Sequence, residues 1–190
     1  MILPIVAYGD PVLRKKAKNI NPDYPGLEPL IHNMFETMYG ASGVGLAAPQ
    51  IGKSIRLFVV DASPFAEEDP SLEGFKKVFI NPEILDEEGE EWAFNEGCLS
   101  IPDVREDVDR QPEIKLRYQD ENFDEHEEAF KGLAARVIQH EYDHIEGVLF
   151  TDYLAPIRKT LIKGKLMNIA KGKVKTDYPM KFPTAKLKRR

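Results

Sequence analysis

His140-Glu141-Tyr142-Asp143-His144 sets two imidazoles and a carboxylate at a spacing suited to metal-assisted hydrolysis. Residues four apart on an α-helix share a face, so His140 and His144 can reach one ion together. Glu141 follows the first histidine directly and is held beside that ion. There it could take a proton from a metal-activated water and return it to a leaving group. Histidines at this spacing also occur on solvated helix faces, so the pair alone does not make a catalytic centre.

The third ligand decides the chemistry. A zinc endopeptidase of this motif draws it from a residue downstream of the second histidine, either a carboxylate or a third histidine. No histidine follows His144, and the acids beyond it are Glu146, Asp152 and Asp177. Glu146 is too near along the helix to face the same ion. Upstream, Glu96-Gly97-Cys98-Leu99-Ser100 contains the single cysteine of the chain. A lone cysteine is more often a small buried hydrophobe than a ligand. Its setting here differs, because the preceding glycine permits close backbone approach and a serine and a proline follow. Cys98, His140 and His144 would supply one thiolate and two imidazoles and leave a fourth position for water, as catalytic sites do. A thiol-based redox protein and a protein with a purely structural metal remain open at this point, as does the endopeptidase.

A further segment, Gly43-Val44-Gly45-Leu46-Ala47-Ala48-Pro49-Gln50, is built of small residues and ends in an amide. No Lys-Ser/Thr follows to make it a phosphate loop. Together the three segments resemble the signature of the peptide deformylases, G-x-G-x-A-A-x-Q, E-G-C-x-S and H-E-x-D-H, in that order. The resemblance spans roughly residues 3 to 155 and includes the flanking Ser100-Ile101-Pro102 and Gln139.

That resemblance implies removal of the formyl group from the initiator methionine of new polypeptides. It implies one divalent ion on Cys98, His140 and His144, Fe2+ in the cell with Zn2+, Ni2+ or Co2+ able to replace it. Glu141 would serve as general base, with the Gln50 amide and the Leu99 N–H holding the oxyanion. Glu96 would anchor the metal loop. Gly43, Val44, Gly45 and Gly97 are the backbone positions expected to meet an extended peptide. Val44, Leu133 and Val137 are expected to wall the methionine pocket, and Arg105 to stand near the peptide path. Arg136 departs from better-known members, which carry an apolar residue there; its expected place is the pocket mouth, stem packed and head in water.

The elements that must position these groups are those of a single α+β domain, with antiparallel or mixed sheets around a central metal-binding helix. Leu30, Ile31, Met34, Phe35 and Met38 form one stripe of a helix over 27–39. Strands are expected over 55–60, 78–85, 91–94 and 113–118, and a loop insertion over 62–74. The metal helix should run over 132–146 and end at Gly147. Apolar residues Ile157, Leu161, Ile162, Leu166 and Ile169 predict an amphipathic C-terminal helix over 156–172. Residues 1–172 are then the catalytic domain and 173–190 a basic, mobile tail. Residues 156–190 carry twelve Lys/Arg against one acid, a surplus of +11 that leaves −17 on residues 1–155, given the net of −6. Because the resemblance implies action on chains emerging from the ribosome, that basic end suggests contact with ribosomal RNA, with neither DNA nor a membrane as partner. The single cysteine and the lack of a basic start or long apolar run fit a cytoplasmic enzyme.

Overall fold

The computed structural model describes residues 1–183. The chain opens with a short strand, β1 (Ile5–Val6), and passes through a 3-10 turn at Pro11–Arg14 to helix α1 (Leu27–Gly40). Strands β2 (Gly45–Ala47), β3 (Leu57–Asp61), β4 (Lys76–Glu88), β5 (Trp92–Cys98), β6 (Ile101–Arg110), β7 (Glu113–Gln119) and β8 (Glu125–Lys131) follow. Helix α2 (Gly132–Glu146), helix α3 (Pro156–Ala170) and the strand β9 (Met180–Lys181) complete it. The architecture is α+β, as the pattern of elements predicts.

Five strands form one antiparallel sheet in the order β2-β3-β4-β7-β8. Its two faces are covered by different helices. Leu30, Ile31, Met34 and Met38 of α1 pack against Leu46, Leu57, Val59 and Ile80 on one side. Phe58, Phe79, Leu116 and Phe130 face Ala134, Ala135 and Ile138 of α2 on the other. β3 is therefore apolar from Leu57 to Val60, as a strand buried on both faces must be. The strand β7 alternates instead, with Ile114, Leu116 and Tyr118 buried.

Strands β5 and β6 make a separate hairpin joined at Leu99-Ser100, where Cys98 opposes Ile101. Its apolar residues Ile101, Val104 and Val108 pack with Phe150, Leu154 and, from α3, Ile162, Leu166 and Ile169. Two of the apolar residues expected on the buried face of α3 are not there. Ile157 is 70% exposed and Leu161 65%. They lie about a turn apart on the outer face, which no element covers among the described residues.

The loop expected over 62–74 contains two short 3-10 turns, Ser63–Phe65 and Pro70–Leu72, and buries Leu72. Beyond Gly172, which the sequence reading makes the end of the domain, the described chain runs back so that β9 pairs in parallel with β1. Lys186, Lys188, Arg189 and Arg190 lie outside the described residues. No helix among the described residues is long and apolar enough to cross a membrane.

Candidate metal centre

Helix α2 begins at Gly132, whose N–H donates to the Pro112 carbonyl, and stops at Gly147, the left-handed cap with φ of 79°. A side chain at 147 would put its Cβ 2.8 Å from the Arg14 carbonyl oxygen, so glycine is required both by φ and by space. The spacing predicted for His140 and His144 is realised, and both rings turn toward the end of β5. Cys98 Sγ lies 3.3 Å from His144 Nε2. The ligand atoms of Cys98, His140 and His144 all fall within 4.8 Å of one another. A thiolate and two imidazoles that close can share one tetrahedral ion with a position left for water.

Glu96, two residues before Cys98 on β5, is the hub of a buried polar network. It accepts from His140 Nδ1 at 2.9 Å, which leaves His140 Nε2 for a metal. Arg110 holds both of its oxygens, at 2.7 and 3.0 Å, and Arg136 Nη1 donates to one at 3.0 Å. Arg110 also donates to Asp143 at 2.8 Å, and Asp143 accepts from the Tyr153 hydroxyl at 3.0 Å. Burial opposes ionisation of Glu96, but the bonds from His140 and Arg110 hold its carboxyl well below the usual carboxylate range. His140 is pushed down by burial and then raised well above the ordinary imidazole range by its bonds to Cys98 and Glu96. Burial, with the charge of His140 beside it, takes His144 well below that range. A raised ring basicity is what a second hydrogen bond to a ligand histidine provides.

Glu141 is buried, and burial pushes its carboxyl up to about 7. Its Oε2 has no hydrogen-bond partner, and neither does His144 Nδ1. An unpartnered carboxylate oxygen is costly unless something else approaches it. Gly45 makes room for it: a Cβ there would come within 2.8 Å of Glu141 Cδ. Gln50 accepts from the Ala47 N–H at 2.9 Å, which aims its amide nitrogen inward, 3.5 Å from Cys98 Sγ and 3.4 Å from Ser100 Oγ. The donor set and the orphaned atoms fit a bound divalent ion.

A cleft of about 710 Å³ opens over these groups. Of the sequence-predicted residues, Gly43, Val44, Gln50, Gly97, Cys98, Leu99, Arg105, Val137, His140 and Glu141 line it. His144 and Gly45 lie behind its wall, buried. Leu133 does not line the cleft. It faces the apolar cluster between α2 and the sheet, because it falls in the first turn of α2, away from the metal end. Arg105 bonds Asn95 through Nε and Nη2, a cross-strand contact on the rim of the cleft.

Arg136 lines the cleft, as expected, but its head is not in water. It is 3% exposed, with its guanidinium turned inward onto Glu96, the Val108 carbonyl (2.8 Å) and the Trp92 carbonyl (2.6 Å). It also stacks over Trp92 at 4.6 Å. A buried carboxylate that needs cations outweighs the gain from hydrating one guanidinium. Sequence reasoning also missed Arg110, Phe65, Phe94 and the stretch 175–178 among the groups at or around the cleft. The inward alternation of Val104, Glu106, Val108 and Arg110 along β6 was the one available signal, and two charges in it hide the strand.

Residues 2–160 match the family model described as polypeptide deformylase. Peptide deformylases of Christiangramia forsetii and Flavobacterium psychrophilum are 63% and 62% identical to the chain. They align with 98% and 96% of it, and with 98% and 97% of their own lengths. A crystal structure of a peptide deformylase from Legionella pneumophila superposes with a TM-score of 0.79 at 39% identity, covering 91% of this chain and 98% of that one. A Plasmodium falciparum peptide deformylase in complex with inhibitor superposes with a TM-score of 0.76 at 32% identity, covering 88% and 99%. The chain belongs to the polypeptide deformylase family, metal-dependent hydrolases that remove the N-formyl group from new polypeptides.

Proposed function

We propose that this chain hydrolyses the formamide of an N-terminal formylmethionine, releasing formate and a free α-amine. The observation that carries the reading is the convergence of Cys98, His140 and His144 within 4.8 Å beside a buried, unpartnered Glu141 oxygen. Those three residues would hold one divalent ion. When bound, the ion supplies Lewis-acid chemistry, lowering the pKa of a water and polarising the formyl oxygen.

Glu141 takes one proton from the attacking water as the new C–O bond forms at the formyl carbon. The Gln50 Nε2 group and the Leu99 N–H hold the oxygen that gains charge. Both are neutral donors, so neither adds a cation to compete for the thiolate. Glu141 then gives its proton to the departing nitrogen as the C–N bond breaks. Glu96 keeps the His140 ring turned with Nε2 outward throughout.

Val44 and Val137 supply apolar wall for the methionine side chain. The Gly43 N–H is occupied by the Met38 carbonyl and the Val44 carbonyl accepts from the Asp61 N–H, both at 2.9 Å. The Gly43 carbonyl and Val44 N–H are therefore the groups assigned to the peptide backbone, with Gly97 opposite. Arg105 sits at the far rim. The native ion is Fe2+ in this reading, with Zn2+, Ni2+ or Co2+ as replacements, and the working compartment is the cytoplasm. The basic surface of α3 and the residues after it is assigned to ribosomal RNA, which charge reversal at Lys163 and Lys165 should weaken in low-salt co-sedimentation.

The test is formate release from formyl-Met-Ala-Ser by protein purified under argon. The expected result is turnover that is lost after exposure to air with iron bound, through oxidation of the thiolate, and kept with nickel. No turnover with any of the four ions at full occupancy would refute the reading.

A further inference from the structure

The C-terminal segment after α3 lies beyond the part of the chain that matches the family model, which ends at residue 160. It nevertheless reaches the centre of the site. We propose that Tyr178 is a positioning residue for catalysis: by holding the Leu99 carbonyl it fixes the turn that carries both the Cys98 thiolate and the Leu99 N–H. The proposal rests on the deformylase reading above.

Leu99 and Ser100 form a two-residue turn between β5 and β6, and both of its carbonyls are clamped from outside the hairpin. The Ser100 carbonyl accepts from the Tyr8 N–H at 2.8 Å. The Leu99 carbonyl accepts from the Tyr178 hydroxyl at 2.9 Å. These two clamps come from opposite ends of the chain, and the ends are tied to each other. The Ile5 N–H donates to the Pro179 carbonyl and the Ala7 N–H to the Lys181 carbonyl, both at 2.9 Å, across the parallel β1–β9 pair. Met180 and Phe182 add apolar contact with the cluster that includes Cys98.

Between α3 and β9, Lys175, Thr176, Asp177 and Tyr178 line the cleft. Thr176 donates to the Tyr178 carbonyl at 2.8 Å, which stiffens the stretch before the tyrosine. A peptide unit is planar, so fixing the Leu99 oxygen fixes the Leu99–Ser100 plane and restricts the adjoining Leu99 N–H. A donor held in place before the reaction stabilises developing charge without reorganising. A tyrosine that only filled space could not do this, because the ring alone makes no bond to the turn.

The experiment compares full-length wild type with Tyr178→Phe, which keeps the ring, both loaded with the same ion to equal occupancy. Steady-state kinetics on formyl-Met-Ala-Ser are paired with amide hydrogen exchange over residues 97–101. The expected result is a kcat lower by about tenfold with KM within twofold, and faster exchange in the turn. Unchanged kcat, or a fall in kcat with unchanged exchange in the turn, would overturn the positioning role. Failure of the wild type itself to release formate would instead refute the deformylase reading, while the exchange comparison would still judge the clamp.

Discussion

Helix α2 is gripped from two sides, and the two contacts are made of different materials. Against the five-stranded sheet it presents Ala134, Ala135 and Ile138 to Phe58, Phe79 and Phe130, a contact of rings and methyl groups. Against the β5–β6 hairpin it presents Arg136, His140 and Asp143 to Glu96 and Arg110, a contact of five charged or ionisable groups that are mostly buried. Apolar packing is non-directional and tolerates small shifts. The charged contact is directional, and each member fixes its neighbours' orientation. The sheet side therefore holds the helix in place, while the hairpin side sets where His140 and Cys98 stand relative to each other. Both faces stabilise the helix, but only the hairpin side also sets the site geometry.

The sharpest way to break that division is Glu96→Ala. It would take the shared carboxylate from two buried guanidiniums, leaving Arg110 with Asp143 and Arg136 with two carbonyls, and release the His140 ring together. We expect a stability loss of about 3–5 kcal/mol, with metal bound at well below one ion per chain, read by thermal melting and metal analysis. Melting unchanged from wild type would show that the network does not hold the hairpin to α2.

Next comes Phe79→Ala, on the sheet side, where the ring stacks on Phe58 with centroids 4.8 Å apart. The expected stability loss is similar, about 3–5 kcal/mol, but metal stoichiometry and kcat per folded molecule should stay as in wild type. A fall in kcat at full metal occupancy would mean that the two faces are not separable.

The smallest effect is expected from Arg136→Met, which keeps the apolar stem over Trp92 and leaves Glu96 with Arg110 and His140. Arg136 Nε already lacks a partner, and the substitution leaves the Val108 and Trp92 carbonyls without the Arg136 donor, at about 1–3 kcal/mol. Kinetics should show a kcat/KM lower by about tenfold, mainly in kcat. Wild-type kinetics in this variant would reduce Arg136 to a packing role.

The same division explains what could be read from the residues alone. The apolar side was legible: α1 buries the stripe from Leu30 to Met38, β7 alternates as its sequence does, and α2 runs over Gly132–Glu146 as the periodicity and Gly147 require. The convergence of Cys98, His140 and His144 was legible because metal chemistry restricts residue type and spacing there. The hairpin side was not. β6 turns Glu106 and Arg110 inward, and an alternating pattern of charge reads as a solvated loop until its partners are known. β8, a sheet edge carrying Glu125, Glu127 and Glu128, hides for a related reason, since charge protects an edge from further pairing. Arg136 stands at the cleft as expected, but the burial of its head was not legible, because a helical stripe cannot reveal that a carboxylate from a distant strand waits inside. The contact of Tyr178 with Leu99 joins residues 79 apart, and no local pattern records it.

The most direct test of the account is formate release by Glu141→Gln set against wild type, with one ion per chain in both. Gln matches Glu in shape but cannot accept a proton, so it removes the base and leaves both faces of α2 intact. The account predicts a rate lower by about a thousandfold, with metal content and melting temperature unchanged. Turnover at the wild-type rate would contradict it.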